Sequence, residues 1–250
     1  MIIIKTPQQI TGIKKSCQLA KKTLDYAQTL IKPGISTQYL DHKIDKYIKQ
    51  HGAISAPLNY KAFPKSVCTS VNDVICHGVP NKNSILKEGD IINIDITTIL
   101  NGFYGDTSKT FPVGSLSPQA KKLLDVTRTA LDMSIKSLKP GRYLNDCVGK
   151  IIEPYVTKFG YSVVRQLGGH GVGLNFHEDP FVFHFDTGSH DAQLKPGMIF
   201  TIEPMINASP NWRLNQDKDG WTVRTQDGVL SAQFEHTVLI TKTGHQILTA

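Results

Sequence analysis

The stretch Ile91-Ile92-Asn93-Ile94-Asp95-Ile96 reads as a buried β-strand, because β-branched side chains fill it and Gly89 and Gly102 bound it. Asp95 sits where only core belongs. After the turn dipeptide Asn101-Gly102, the short run Phe103-Tyr104-Gly105-Asp106-Thr107 brings a second acid back towards the first. A hairpin would set Asp95 and Asp106 side by side. Burying two carboxylates together is costly, since desolvation and mutual repulsion both disfavour their charged forms. On this pair alone two readings stand: a metal or catalytic use, or a turn residue beside a hydrogen-bonded strand end.

The strand recurs. Lys87-Glu88-Gly89-Asp90-Ile91-Ile92-Asn93-Ile94-Asp95 matches Lys195-Pro196-Gly197-Met198-Ile199-Phe200-Thr201-Ile202-Glu203 at a constant offset of 108 residues. The helices before it recur too. Thr6-Pro7 caps a long amphipathic helix carrying Ile10, Ile13, Cys17, Ala20, Leu24, Ala27 and Ile31, and Lys32-Pro33-Gly34 stops it. Ser36 or Thr37 opens a second helix with Leu40, Ile44, Tyr47 and Ile48 on its buried face. In the second half Ser117-Pro118 opens a helix carrying Leu124, Leu131, Ile135 and Leu138, Lys139-Pro140-Gly141 stops it, and one further helix runs through Leu144, Val148, Ile151 and Ile152 towards Gly160. This predicts one domain over residues 1–250, built from duplicated halves of roughly 1–112 and 113–250. If the halves pack about a pseudo-twofold axis, Asp95 and Glu203 meet from opposite sides of one cleft.

With 40% hydrophobic and 20% charged residues the sequence is that of an ordinary globular protein, not a disordered, collagen-like or coiled-coil one. Ile2, Ile3 and Ile4 before Lys5 are too few for a signal segment, and no apolar run reaches membrane-spanning length, so a cytoplasmic protein without a membrane partner is expected. Cys17, Cys68, Cys76 and Cys147 lack metal-ribbon or disulfide spacing and read as free thiols. The net charge of +7, partly in the pairs Lys14-Lys15, Lys21-Lys22 and Lys121-Lys122, suits a solvated helix face and would also favour weak contact with an RNA surface.

Two more residues complete a constellation: His170 in Gly168-Gly169-His170-Gly171-Val172-Gly173, and Glu235 in the strand-like run Ser231 to Ile240. Singly, a buried Glu is commonly paired with a base and a lone His is commonly a satisfied core residue. Converging, four carboxylates and an imidazole would repel and protonate unless cations of total charge near +4 were present. Two divalent ions balance them. An oxygen-rich site with one nitrogen and no sulfur suits manganese, iron(II) or cobalt better than zinc. Two such ions would deprotonate a water held between them.

Taken together, Phe63-Pro64-Lys65-Ser66-Val67-Cys68-Thr69-Ser70-Val71-Asn72, His77-Gly78-Val79-Pro80, Asn93-Ile94-Asp95, Gly102 to Ser108, Gly169-His170-Gly171, Asn175-Phe176-His177-Glu178, Thr201-Ile202-Glu203-Pro204 and Phe234-Glu235-His236-Thr237 resemble type I methionine aminopeptidases in their plain bacterial form. The resemblance covers essentially the whole chain. It implies the α/β (α+β) pita-bread fold, in which two pseudo-twofold-related halves, each with antiparallel strands and two helices, enclose a central cleft. It implies one metal held by Asp106, His170, Glu203 and Glu235 and a second held by Asp95, Asp106 and Glu235.

The reaction implied is removal of the initiator methionine from nascent chains with a small second residue, by a metal-bridged hydroxide attacking the first peptide bond. Glu203 would serve as general base, His77 would approach the scissile nitrogen, and His177 would stabilise the oxyanion. Tyr60, Phe63, Cys68, Phe176 and Trp221 would line a methionine pocket. The protein would be a monomer acting on nascent N-termini, with transient ribosome contact through its basic surface and no DNA partner. Pro57, Leu174-Asn175 and Asp179 depart from the pattern common in bacterial relatives.

Two rival readings are an X-Pro aminopeptidase or prolidase, which carries a large additional N-terminal domain, and a non-catalytic ribosome-associated protein of the same fold, which would have lost ligands. His177-Glu178 lacks the second histidine of a zincin, since Phe181 stands at that spacing; no G-x-S-x-G elbow occurs, and the glycines around His170 do not form a phosphate loop.

Overall fold

A computed structural model describes residues 1–250. The first half consists of α1 (Pro7–Leu30), α2 (Thr37–Gln50), β1 (Ile54–Ser55), β2 (Cys68–Val71), β3 (Val74–Cys76), β4 (Ile91–Leu100) and β5 (Phe103–Pro112). The second holds α3 (Pro118–Ser137), α4 (Leu144–Cys147), α5 (Gly149–Thr157), β6 (Ser162–Val163), β7 (Gly169–Gly171), β8 (Glu178–Val182), β9 (Ile199–Ile202) and β10 (Met205–Asn207). It continues through β11 (Leu214–Gln216), β12 (Val223–Thr225), β13 (Ser231–Gln233), β14 (His236–Ile240) and β15 (His245–Ile247). The strands pair antiparallel in four sheets, of which β1-β4-β2 with β5, and β15-β14-β9-β7-β8, meet where β14 packs against β5.

The helix starts follow the sequence. Thr6 accepts from the Gln9 amide while the Gln9 side chain accepts from the Thr6 amide, a complete capping box ahead of Pro7. At the starts of α2 and α3 the Ser36 and Ser117 hydroxyls accept from the Tyr39 and Ala120 amides, single caps without the reciprocal bond. Two expectations are corrected. On α3 it is Leu123 that is fully buried, with Leu124 only partly so. The single helix expected through Val148 is broken there into α4 and α5. A Cβ on Gly149 would lie 2.1 Å from the Phe185 carbonyl oxygen, so the chain bends to let that backbone pass.

The duplication is written in hydrogen bonds. Gly34 N donates to Leu86 O and Gly141 N to Leu194 O, both at 2.8 Å, and the two glycines share φ near +88° (89° and 88°), a conformation that favours glycine. Gly89 N donates to Val113 O and Gly197 N to Ile240 O, both at 2.9 Å. Each half thus lays its helices on its own sheet, burying a 15-residue apolar cluster under α1 and α2 and a 24-residue cluster under α3 to α5.

Between the two cores runs a polar seam. Thr107 Oγ1 donates to Glu235 O (2.9 Å), Thr237 Oγ1 donates to Asp106 O (2.7 Å), and Thr110 Oγ1 donates to Gln233 O (2.7 Å). These bonds lock β5 of the first half to the β13–β14 segment of the second, which fixes the floor of the cleft.

Candidate active site

The β4–β5 hairpin closes on Asn101 (φ 52°) and Gly102 (φ 79°), the two positive values that match a two-residue turn to strand twist. Its register sets Asp106 opposite Thr97 and Asp95 opposite Ser108. The two acids are therefore diagonal neighbours on one face rather than directly opposed, a correction of one pleat. Asp106 is 3% exposed, and its Oδ1 accepts from Thr97 Oγ1 at 2.8 Å.

The run expected as one strand from Ser231 to Ile240 is two strands in different sheets. β13 pairs with β10 and β14 with β9, and Phe234-Glu235 is the joint between them. Glu235 N donates to Ser108 O (3.0 Å), which pins the joint to β5 and leaves the carboxylate, 3% exposed, aimed into the cleft. Glu203 leaves the end of β9 with Oε1 accepting from Thr201 Oγ1 (2.7 Å) and Oε2 from Gln233 Nε2 (3.0 Å). One oxygen of each of Asp95, Asp106 and Glu235 falls within 4.8 Å of the others.

His170 Nε2 lies 3.7 Å from both Asp106 Oδ2 and Glu203 Oε1. That spacing is too long for hydrogen bonds and suits donors that share an ion. Its other nitrogen, Nδ1, is 3.0 Å from the Gly171 carbonyl oxygen; donating there, it turns the Nε2 lone pair towards the acids.

Burial pushes the acids up. Desolvation raises Asp95 to about 7 and Glu203 to about 8; desolvation and then the charges of Asp95 and Glu203 raise Asp106 well above its ordinary value, and desolvation and then Asp106, Glu203 and Asp95 do the same to Glu235. Desolvation lowers His170 to about 4, so it is neutral and able to ligate. No Lys or Arg is paired with any of the four acids. Four buried oxygen donors with no countercharge, beside one neutral imidazole, fit divalent cations.

The sign of the pH dependence follows. An acid whose folded pKa is raised stabilises the fold below its unfolded value near 4, and that contribution is lost as pH climbs through the folded value. The buried neutral histidines act oppositely, but only below about pH 6.5. The metal-free protein should therefore lose thermal stability between about pH 6.5 and 8. Added Mn(II) should raise Tm most at the upper end, since ion binding replaces the protons. Calorimetry giving a metal-free Tm that climbs over this interval would contradict it.

A cavity of about 570 Å³ opens over the acids, and it is lined by His77, His177 and all five expected pocket residues. Phe63 meets Trp221 edge-on at 5.2 Å, Tyr60 packs on Phe176 at 4.8 Å, and His170 and His177 lie 4.1 Å apart. His77 holds a left-handed backbone (φ 54°), a conformation costly for a non-glycine residue, with its ring 6.1 Å from Trp221. The departing residues Pro57 and Asp179 line the same cavity. Trp221→Ala should raise KM for a methionyl tripeptide roughly tenfold with a smaller fall in kcat, because it removes apolar wall and no reacting group. An unchanged KM would take Trp221 out of the pocket.

Several working residues were missed in the sequence. Thr97, Thr201 and Gln233 each stand two positions from an acid on the same strand face or approach, so the two-residue strand period could have found them. Lys5 and Glu178 could not be found that way. Their side chains, 1% and 2% exposed, form an ion pair across the sequence, and Glu178 Oε1 also accepts from Leu174 N (2.7 Å) and Asn175 N (2.8 Å). This clamp holds the loop that carries Phe176 and His177. Lys5→Met should cost about 3–5 kcal/mol in denaturant unfolding, because it strands a buried carboxylate.

The chain matches metallopeptidase family M24 over residues 11–242. It belongs to that family. Methionine aminopeptidase A of Synechocystis sp. is 46% identical over 248 residues, 99% of this chain and 97% of the relative. The crystal structure of methionine aminopeptidase from Rickettsia prowazekii superposes with a TM-score of 0.96 at 46% identity, covering 100% of both chains. Prolidase from Pyrococcus furiosus, another member of this fold, gives a TM-score of 0.77 at 26% identity and is matched over only 65% of its length. The M24 fold is thus that of the pita-bread peptidases, and this chain is similar to the methionine aminopeptidases over their full length.

Proposed function

We propose that the protein removes N-terminal methionine from polypeptides whose second residue is small, as a dinuclear metal-dependent aminopeptidase in which residues 1–250 form one catalytic domain. The observation that carries this is the apolar cavity of Phe63, Trp221, Tyr60 and Phe176 set directly over the acid cluster. A flexible thioether side chain fills such an irregular aromatic slot and gains sulfur–aromatic contact.

Asp106, His170, Glu203 and Glu235 would hold one divalent ion and Asp95, Asp106 and Glu235 the other. Manganese, iron(II) or cobalt suits this oxygen-rich set better than zinc. Such ions, when bound, lower the pKa of water and polarise a carbonyl. Glu203 accepts the proton of the attacking water and delivers it to the leaving amine, Thr201 and Gln233 holding its two oxygens for that transfer. Partial desolvation at the cavity mouth, then the nearby His170 and Lys61, lowers His177 to about 3, so at neutral pH it is a neutral imidazole that can donate to the carbonyl oxygen as negative charge develops there. Burial likewise lowers His77, whose imidazole would approach the scissile nitrogen. The basic net charge of +7 supports action on nascent chains beside a ribosome.

The test is hydrolysis of Met-Ala-Ser, Leu-Ala-Ser and Ala-Pro-Ala by chelator-stripped protein with single metals added back. Release of methionine from the first peptide alone is expected. Cleavage of Ala-Pro-Ala would move the assignment to an X-Pro peptidase, and silence with every metal would favour a binding protein.

A further inference from the structure

β8 is the outermost strand of its sheet, and no loop backbone hydrogen bond reaches Phe181, Val182 or Phe183. Such an edge is a ready template for another chain. Along it and just beyond, the side chains alternate: Val182 and His184 are buried, while Phe181 (47% exposed) and Phe183 (36%) face outward and Phe185 follows half-buried. The outward rings form a ladder, with centroids 4.7 Å apart from Phe181 to Phe183 and 5.3 Å apart from Phe183 to Phe185. The Arg165 guanidinium then lies over both Phe185 (5.0 Å) and Trp212 (5.4 Å). An exposed aromatic row on an open edge strand is an aggregation hazard unless something is meant to cover it.

The ladder begins at the rim of the cavity, because the exposed Phe181 is one of its lining residues. Its ring is seated over Gly168, where an added Cβ would come within 2.7 Å of Phe181 Cε1. We propose that this ladder is a docking track for the part of the substrate polypeptide that follows the cleaved bond, bound in extended form with apolar side chains against Phe181 and Phe183. The reading rests on the aminopeptidase function above. Alternate side chains on β8 repeat every ~6.6 Å, the same repeat as an extended peptide laid beside it. A substrate whose first residue fills the Trp221 pocket has the rest of its chain leaving through this mouth. The track would make the enzyme favour nascent chains with apolar residues beyond the second position.

The experiment compares kcat/KM for Met-Ala-Leu-Thr-Leu-Thr-Lys, its register-shifted form Met-Ala-Thr-Leu-Thr-Leu-Lys, and Met-Ala-Ser-Thr-Ser-Thr-Lys, in the wild type and in Phe183→Ser. Phe183 lies outside the cavity, so hydrolysis of Met-Ala-Ser should be unchanged in the variant. In the wild type one of the leucine peptides should be favoured roughly tenfold through KM, and Phe183→Ser should abolish the preference. Anisotropy of the fluorescein-labelled leucine peptides reports the same difference as binding, so a failure of hydrolysis strikes the aminopeptidase reading and not the track. Equal kcat/KM for all three peptides, or a preference that survives in Phe183→Ser, would overturn the proposal. So would a wild-type dimer that Phe183→Ser converts to monomer in sedimentation, or Phe183-dependent binding of oligouridine without any peptide preference.

Discussion

Glu235→Gln should leave a folded protein whose kcat/KM on Met-Ala-Ser falls on the order of 10⁴-fold with any metal. The substitution keeps the shape of the side chain, and the joint between β13 and β14 is held by backbone, through Glu235 N to Ser108 O and Thr107 Oγ1 to Glu235 O. What it removes is one of the two carboxylates proposed above to be shared between two ions. The same change carries a second expectation of opposite sign. In metal-free protein at pH 8, one fewer buried carboxylate relieves repulsion with Asp106, Glu203 and Asp95, so Tm should rise by a few degrees over metal-free wild type. Lost activity with raised metal-free stability marks a site built for cations. A structural acid would show the reverse pair, with activity kept and stability lost.

His177→Ala should lower kcat by roughly 10²–10³-fold while KM changes little, the signature of a donor engaged only as charge develops on the carbonyl oxygen. The residue is exposed at the cavity mouth, stacked with Tyr60 at 5.3 Å and beside Phe176 at 4.4 Å, so truncation costs the fold little. Steady-state kinetics on Met-Ala-Ser decide it. A rise in KM with kcat intact would make His177 a binding residue alone.

What the sequence made legible was whatever recurs locally. The offset of 108 residues, the Pro-Gly helix stops and the Asn-Gly turn all reappear as paired hydrogen bonds and matched dihedrals, because each is set by a few neighbouring residues. Asp95 and Asp106 were visible as acids in apolar strands, and their approach followed from the turn between them. The rest depends on contacts far apart in the chain. Nothing near Glu235 signals that its strand changes sheets there, since the cause is the seam to Ser108 and Thr107 of the other half. Lys5 and Glu178 are 173 residues apart and unremarkable singly, yet together they hold the loop before His177. The break at Val148 is likewise set by the Phe185 backbone, which sequence periodicity cannot sense.

The most direct test of the account is calorimetric titration of chelator-stripped protein with Mn(II) at pH 7.5 in two buffers of different ionisation enthalpy. The raised pKa values of Asp95, Asp106, Glu203 and Glu235 mean that the metal-free cluster carries protons which the ions must displace. Two ions per chain, with net proton release on binding, is the predicted result. One ion or none, or binding without proton release, would contradict a dinuclear centre assembled from the two duplicated strands.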